Sequence, residues 1–197
     1  MQFQNKKDKI LIIDFGSQVT KLIARRIREL GVYSEVITPN DVNKIKRFNE
    51  IKGIVLSGGP STVTGKNYQS IPKEIFKKGI PILGICYGLQ LISKIFGGRI
   101  KPSPKRREFG RAILFQKKPS LLTKNFLNKK KSVWMSHEDA VTKLPKNFKT
   151  IASTKDSKLT IIENSQKKIY GVQFHPEVTH TENGKQIFKN FIFLICK

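Results

Sequence analysis

The stretch that decides the fold is IPILGICYGLQLISKIFGG, residues 80–98. Its first part, from Ile80 to Ile85, is an apolar run typical of a buried β-strand, and a helical pattern of apolar residues follows at once. Between the two lies Cys86, with a glycine two residues before it and another two residues after it. This order matches the G-x-S-x-G strand-to-helix turn that presents a nucleophile, with Cys in place of Ser.

The chain before this stretch alternates short apolar runs with amphipathic ones. Strands are predicted at residues 9–14, 32–37, 53–57 and 80–85, and helices at residues 17–30, 41–48, 72–78 and after Cys86. Ser17 is expected to cap the first helix, and Gly31 to follow its last turn. Such alternation predicts a parallel sheet with helices on both faces.

After about residue 110, the alternation of predicted strands and helices gives way to closely spaced strands. Short strands follow closely at residues 111–115, 132–136, 150–154, 159–164 and 169–174, and one amphipathic helix ends the chain at residues 182–195. The sequence therefore predicts an α/β fold. It has an open, mostly parallel, twisted sheet of the flavodoxin-like kind and a mixed or antiparallel extension. The length of 197 residues fits one domain, residues 1–197.

The composition of the chain limits which partners and which cellular compartment we expect for the protein. Apolar runs stay short of the roughly 18 residues of a membrane span, and the N-terminal segment lacks the features of a secretory signal, so we expect a cytoplasmic protein without a membrane partner. The formal charge is +24, but the lysines are dispersed and only residues 101–110 form a compact basic cluster. We therefore predict no nucleic-acid partner; a basic face towards an anionic nucleotide or acidic partner is the milder alternative.

The two cysteines, Cys86 and Cys196, are too few for a disulfide framework, and no spacing indicates a metal site. At the start of the predicted helix, Cys86 gains positive potential that favours a thiolate. The last strand runs into His175-Pro-Glu177, a general base and an orienting carboxylate at the end of a strand. The alternative for Cys86 is a buried structural cysteine, and the alternative for His175 is an ordinary histidine in a surface loop.

The loop LSGGPST, residues 56–62, follows the third strand. Its Gly59 N–H and the Tyr87 N–H after the nucleophile are candidate donors to an oxyanion. An ordinary Gly-Gly-Pro turn is the alternative. A phosphate-binding loop is disfavoured because the Gly-Lys-Ser/Thr sequence is missing.

Together GICYGLQ, SGGPS and GVQFHPEV resemble the class I (triad) glutamine amidotransferases. DFGSQVTKLIARRIRELGVYSE, EFGRA, VWMSHEDAV and FHPEVTHTENG resemble more specifically the glutaminase part of GMP synthases, from about Lys9 to Cys196. The resemblance implies hydrolysis of glutamine to glutamate and ammonia through a γ-glutamyl thioester on Cys86. It implies His175 and Glu177 as base and orienting carboxylate.

Further roles rest on the same resemblance. It implies oxyanion positions at Gly59 and Tyr87, and glutamine-binding positions at Gly58, Gln90, Ser136, His137 and Asp139. It implies no metal and no cofactor in this domain. The ammonia passes to a GMP synthetase (ATP-pyrophosphatase) domain or subunit that uses ATP and magnesium to convert xanthosine monophosphate to GMP. In a fused enzyme, residues 190–197 would lead into that domain.

One residue differs from the pattern of the family, and several alternative functions stay open. Glu138 stands where the family usually has Gly, and it would be disfavoured there if the backbone needs a positive φ. The nearest rival is the amidotransferase of anthranilate or aminodeoxychorismate synthase, with endings of the FHPES type and a turn of the CLGHQ type. A peptidase or γ-glutamyl hydrolase shares the triad. A non-catalytic basic binding module on the same fold belongs to another class.

Overall fold

The computed structural model describes residues 7–102 and 108–196. Residues 103–107 of the basic cluster lie outside the described residues. The strands are β1 (Lys9–Ile13), β2 (Ser34–Ile37), β3 (Ile51–Leu56), β4 (Ile82–Ile85), β5 (Arg99–Pro102), β6 (Glu108–Gln116), β7 (Lys130–His137), β8 (Asp139–Lys143), β9 (Lys149–Ser153), β10 (Ile161–Asn164) and β11 (Ile169–Val172). The α-helices are α1 (Thr20–Arg28), α2 (Tyr87–Ile95) and α3 (Lys185–Asn190), the last continuing as a π-helix at Phe191–Ile195.

Nine of the described strands form one sheet in the order β2-β1-β3-β4-β11-β10-β9-β6-β7. The first five are parallel to their neighbours, and the pairs from β11 to β7 are antiparallel. The start of this order, β2-β1-β3-β4, is that of the flavodoxin-like class. The predicted parallel sheet and its antiparallel extension are both confirmed.

Helices cover both faces of the sheet, as predicted. Successive residues of β1 point to opposite sides, so that Ile12 belongs to one hydrophobic core and Ile13 to the other. The first core contains Ile23 of α1 and Phe188 of α3, and the second contains Leu89 of α2. Strands β1, β3, β4 and β11 are therefore buried on both sides, which explains their largely apolar sequences, whereas the edge strand β2 is only partly buried.

Three local expectations were wrong, and one small sheet was not predicted. The segments predicted as helices at 41–48 and 72–78 hold only short 3₁₀ turns, Pro39–Lys44 and Lys73–Lys77. The first helix begins at Thr20, and the Ser17 hydroxyl accepts the Val19 N–H in a turn before it. The small antiparallel sheet of β5 and β8 was not predicted, because each strand has only four or five residues and little alternation.

The glycines around Cys86 serve close packing. A Cβ on Gly84 would lie 2.5 Å from the carbonyl carbon of Gly88, and a Cβ on Gly88 would lie 2.4 Å from the Leu56 oxygen of β3. The positive φ in this turn, +52°, belongs to Cys86 itself. The two glycines therefore let α2 lie directly on β3 and β4, whereas their spacing in the sequence suggests backbone freedom as their role.

Gly88→Ala is expected to destabilise the protein by about 3 kcal/mol, because the methyl group overlaps the backbone of β3 and forces α2 outward. The same substitution in an open helix stabilises by up to about 1 kcal/mol, so the expected sign is reversed. Urea unfolding followed by circular dichroism measures this difference. Gly65→Ala is the control, since its Cβ would meet only Thr62 Cγ2, at 3.9 Å. Equal stability of the Gly88 variant and the wild type would contradict this packing.

Candidate active site

Cys86 lies between β4 and α2 at the carboxyl end of the parallel sheet. Its N–H donates to Val172 O of β11 over 2.8 Å, and its carbonyl accepts the Gln90 N–H of α2. With φ +52° and ψ −104°, the residue occupies a sparsely populated backbone conformation that these neighbours hold in place. The side chain is 6% exposed and reaches two cavities. The strand-to-helix turn predicted from the sequence is therefore present, with Cys86 between the strand and the helix.

His175 and Glu177 follow β11, which is the parallel neighbour of β4. His175 Nδ1 lies 2.7 Å from Glu177 Oε1, and Glu177 is fully buried. The His175 N–H donates to Trp134 O of β7, and the Thr181 hydroxyl donates to His175 O. Two adjacent parallel strands thus bring the thiol and the histidine–carboxylate pair to one place.

The electrostatic surroundings favour the protonated form of the His175 ring. Burial acts to lower the pKa of His175, but hydrogen bonds with Cys86 and Glu177 and the negative charges of both outweigh it and raise the pKa to about 10. These contacts favour the protonated form of the ring, which lies beside the Cys86 sulfur. A cysteine next to such a ring is the arrangement in which thiolates persist in proteins.

Gln173 is a neighbour of the sulfur that was not predicted from the sequence. Its Nε2 lies 3.7 Å from Cys86 Sγ, and the side chain has no exposed surface. Ser136 O lies at the same distance from Sγ. The available signal was a glutamine in the otherwise apolar stretch GVQF, two residues before His175.

A cavity of about 570 Å³ opens in front of Cys86. It brings together most of the predicted binding and oxyanion residues, namely Gly59, Tyr87, Gln90, Ser136, His137 and Asp139. Gly58 does not line it. A Cβ there would lie 3.2 Å from His175 Cε1 and 3.7 Å from Cys86 Cβ, so Gly58 faces Cys86 and His175 rather than the cavity. A second cavity, of about 350 Å³, meets Cys86 from the side of His175 and Ser17.

Gly59 and Tyr87, the two predicted oxyanion positions, both line the larger cavity beside Cys86. A Cβ on Gly59 would lie 2.7 Å from Phe15 O, so the position is closed to other residues. Tyr87 is the first residue of α2, where the N–H has no acceptor within the helix. Its ring packs on Phe15, its hydroxyl donates to Gln69 O over 2.6 Å, and burial raises its pKa to about 12.

Hydrogen bonds also fix the far wall of the larger cavity. Gln90 Nε2 donates to Asp139 O over 2.8 Å, and the Thr62 hydroxyl donates to the Asp139 carboxylate. Thr62 was not predicted as a site residue. Glu138 is not among the described non-glycine residues with a positive φ, so the backbone tolerates glutamate where the family usually has glycine.

Residues 7–102 and 108–196 hold no group of His, Cys, Asp and Glu side chains that could bind a metal ion. Over the same ranges, every helix is too short or too polar to cross a membrane.

The chain is similar to a known protein family and to named relatives along nearly its whole length. The model of the family described as glutamine amidotransferase class-I matches residues 11–195. The GMP synthase [glutamine-hydrolyzing] of Brachyspira hyodysenteriae is 49% identical over 195 residues, covering 98% of this chain and 37% of the relative. The enzyme of the same name from Fusobacterium nucleatum is 51% identical over 194 residues, with the same coverage. The chain thus spans little more than a third of these relatives.

Solved structures agree in fold. A protein from Thermoplasma acidophilum, ascribed to one of the subunits of a GMP synthase, superposes with a TM-score of 0.82 at 31% identity, covering 98% of this chain and 96% of its own. A glutamine amidotransferase from Thermotoga maritima superposes with a TM-score of 0.75 at 23% identity, covering 88% and 78% of the two chains. The second of these likenesses concerns the fold alone.

Proposed function

Because this chain belongs to the class-I glutamine amidotransferase family, we propose that it hydrolyses L-glutamine to glutamate and ammonia through a γ-glutamyl thioester on Cys86. The observation that carries the proposal is the hydrogen-bonded His175–Glu177 pair beside a cysteine on the wall of a 570 Å³ cavity. A nucleophile, a charged histidine and a buried carboxylate are the parts that acyl transfer needs.

The first half of the reaction forms the thioester. The Cys86 sulfur attacks the side-chain amide carbon of glutamine, and the carbonyl oxygen becomes an oxyanion that accepts the N–H groups of Gly59 and Tyr87. The imidazolium of His175 donates its proton to the amide nitrogen. The C–N bond then breaks, ammonia leaves, and the ring is neutral.

The second half returns the enzyme to its starting state. Neutral His175 takes a proton from a water molecule, whose oxygen attacks the thioester carbon. The C–S bond breaks, glutamate leaves, and the thiolate and imidazolium are restored. Glu177 keeps the Nδ1 proton in place throughout, so that the other ring nitrogen alone exchanges protons.

The wider activity is also a proposal. We assign the chain to GMP synthesis, with the ammonia delivered to a synthetase domain or subunit that uses ATP and magnesium to aminate xanthosine monophosphate. Nearly complete alignment with curated GMP synthases, which continue well beyond the matched region, supports this partner. ATP and magnesium bind to the synthetase unit, and this chain supplies only ammonia.

Release of ammonia and glutamate from glutamine by the purified chain tests both the glutaminase activity and the assignment to GMP synthesis. The assay is run alone and with the synthetase region of the Brachyspira relative, loaded with ATP, magnesium and xanthosine monophosphate. We expect equal amounts of the two products, and about a tenfold increase with the loaded partner, which is a typical coupling between sites. A rate that the loaded partner leaves unchanged would contradict the assignment to GMP synthesis. Absence of release in both arms would contradict the glutaminase activity.

A further inference from the structure

Cys86 lies on the wall of two cavities that differ in their residues. Gln90, His137 and Asp139, three of the positions predicted to bind glutamine, line the larger cavity and not the smaller one. His175 has the opposite placement, since it lines the smaller cavity and is missing from the described lining of the larger one. Cys86 therefore lies between the predicted glutamine-binding space and the space beside His175.

The two walls also differ in their chemistry. Besides Cys86, the ionisable side chains on the described wall of the larger cavity are Tyr87, His137, Glu138 and Asp139. Besides Cys86 and His175, the described wall of the smaller cavity has no ionisable side chain. Free glutamine carries an ammonium and a carboxylate group, which need polar partners when they leave water, whereas water and ammonia are small and uncharged. The larger cavity therefore suits the amino-acid end of glutamine, and the smaller one suits water and ammonia.

The His175 ring determines where protons are exchanged. Its Nδ1 lies 2.7 Å from Glu177 Oε1, so Nε2 is the nitrogen that remains for proton transfer. A reacting group that exchanges a proton with the ring has to come within about 3 Å of that nitrogen. In the proposed reaction the amide nitrogen that leaves and the water oxygen that attacks do so one after the other. Both atoms therefore pass through the same place, on the side of Cys86 where the smaller cavity lies.

The acylated enzyme closes the other route. After the amide nitrogen has left, the glutamyl group stays bonded to Cys86, and its amino-acid end still fills the space in front of Gln90 and Asp139. The smaller cavity measures about 350 Å³, against about 30 Å³ for one water molecule in the liquid, so it has room for both small molecules. Gly16 and Gln18 line it and are exposed, so this cavity opens to the outside.

We propose that the smaller cavity is the passage through which ammonia leaves Cys86 and water reaches the thioester, while glutamine occupies the larger cavity. Apolar Trp134 and Val178 and polar Ser17 and Gln18 line this passage. The inference rests on the proposed glutaminase function and adds a separate route for the two small molecules. Nucleophiles other than water should use the same passage, and their access should depend on their size.

Hydroxylamine and its O-benzyl ether test the passage. In each case the nitrogen attacks the thioester carbon, its proton goes to neutral His175, the C–S bond breaks, and a γ-glutamyl hydroxamate leaves. Both products form from the same thioester, so their ratio depends on access to the thioester and not on the rate of acylation. Mass spectrometry measures this ratio for the wild type and for variants of one residue in each cavity.

Val178 is the residue to vary in the smaller cavity, because it is half-buried there and does not line the larger one. Val178→Ala should raise the ratio of benzyl to plain hydroxamate about tenfold, and Val178→Phe should lower it about tenfold. Ser61→Phe is the matched control, since Ser61 is exposed and lines the larger cavity but not the smaller. It should leave the ratio unchanged and raise the KM for glutamine about tenfold, whereas Val178→Phe should leave that KM unchanged.

A ratio that stays constant in both Val178 variants, or that responds to Ser61→Phe instead, would overturn the proposal. If the wild type forms neither ammonia nor hydroxamates, the proposed function fails, and a crystal structure still decides between the cavities. A chloroketone analogue of glutamine forms an S–C bond with Cys86 as chloride leaves, and its amino-acid end then marks the glutamine-binding cavity. We expect that end in the larger cavity; finding it in the smaller one would overturn the assignment.

Discussion

Serine in place of Cys86 is expected to lower kcat for glutamine hydrolysis by about 10⁴-fold or more. The hydroxyl is smaller and far less acidic than a thiol, so the His175 imidazolium has no thiolate beside it and the acyl-enzyme does not form. Because the two side chains have nearly the same shape, the strained turn at Cys86 should be retained. Glutamate formation in a coupled dehydrogenase assay measures the loss, and mass spectrometry of enzyme quenched during turnover detects the thioester.

Cys196 supplies the matched control. It is 4% exposed and packs beside Gly53, where burial raises the pKa of its thiol well above the usual value. Cys196→Ala should keep glutamine hydrolysis near the wild-type rate, and iodoacetamide should modify Cys86 much faster than Cys196 in the native protein. Activity that survives Cys86→Ser, or that depends on Cys196 instead, would remove Cys86 as the nucleophile.

The parallel half of the fold could be predicted because its signals are local. A strand buried on both sides is a continuous apolar run, and each run here is followed by turn residues or by an amphipathic segment. The stretch around Cys86 contains a whole strand, turn and helix, so the position of the thiol at the end of a strand followed from a few residues. The histidine was found in the same way, at the end of β11.

The parts that were missed depend on contacts between distant segments. Gln173 and Cys86 are 87 residues apart in sequence, and Thr62 and Asp139 are 77 apart. Glu108 looks like an ordinary charged residue at the start of a strand, and only the pairing of β6 with β7 buries it against His137. A buried polar residue needs a partner, and the sequence does not show which residue that partner is.

The family resemblance predicted more residues of the site than the spacing of the motifs did. Six of the seven positions that it implied for oxyanion and glutamine binding line the larger cavity, and Gly58 is the exception because it packs against His175. Motif resemblance identifies residues that belong to a site. It does not distinguish a residue that faces the substrate from one that makes room for the catalytic side chains.

Glutamine in place of Glu177 is expected to lower kcat for glutamine hydrolysis by about 10³- to 10⁴-fold, as does loss of the orienting carboxylate in other triads. The carboxylate accepts the His175 Nδ1 proton over 2.7 Å and is fully buried, so its charge acts on the ring without screening by water. An amide can instead donate to Nδ1 and stabilise the wrong tautomer. The nitrogen that must exchange protons with the substrate would then already be protonated in the neutral ring.

The same substitution should change the titration of His175. Since Glu177 is one of the two groups that raise the pKa of His175 to about 10, its removal should bring that pKa down towards the ordinary value near 6.5. Ring NMR between pH 5 and pH 11 follows this change directly. Because the lower pKa depletes the imidazolium at neutral pH, the residual activity of Glu177→Gln should rise as the pH falls from 8 to 6.

Glu182→Gln is the control for this prediction. Glu182 lies five positions further along the chain, has a 64% exposed side chain and pairs with Lys131 at 3.8 Å. A surface pair of this kind contributes little, so kcat and the His175 titration should remain those of the wild type. If Glu177→Gln kept near-normal kcat while the pKa of His175 fell, the charge on the ring would be unnecessary for turnover. Acylation would then have to proceed from the neutral Cys86–His175 pair, with His175 as the base that deprotonates the thiol.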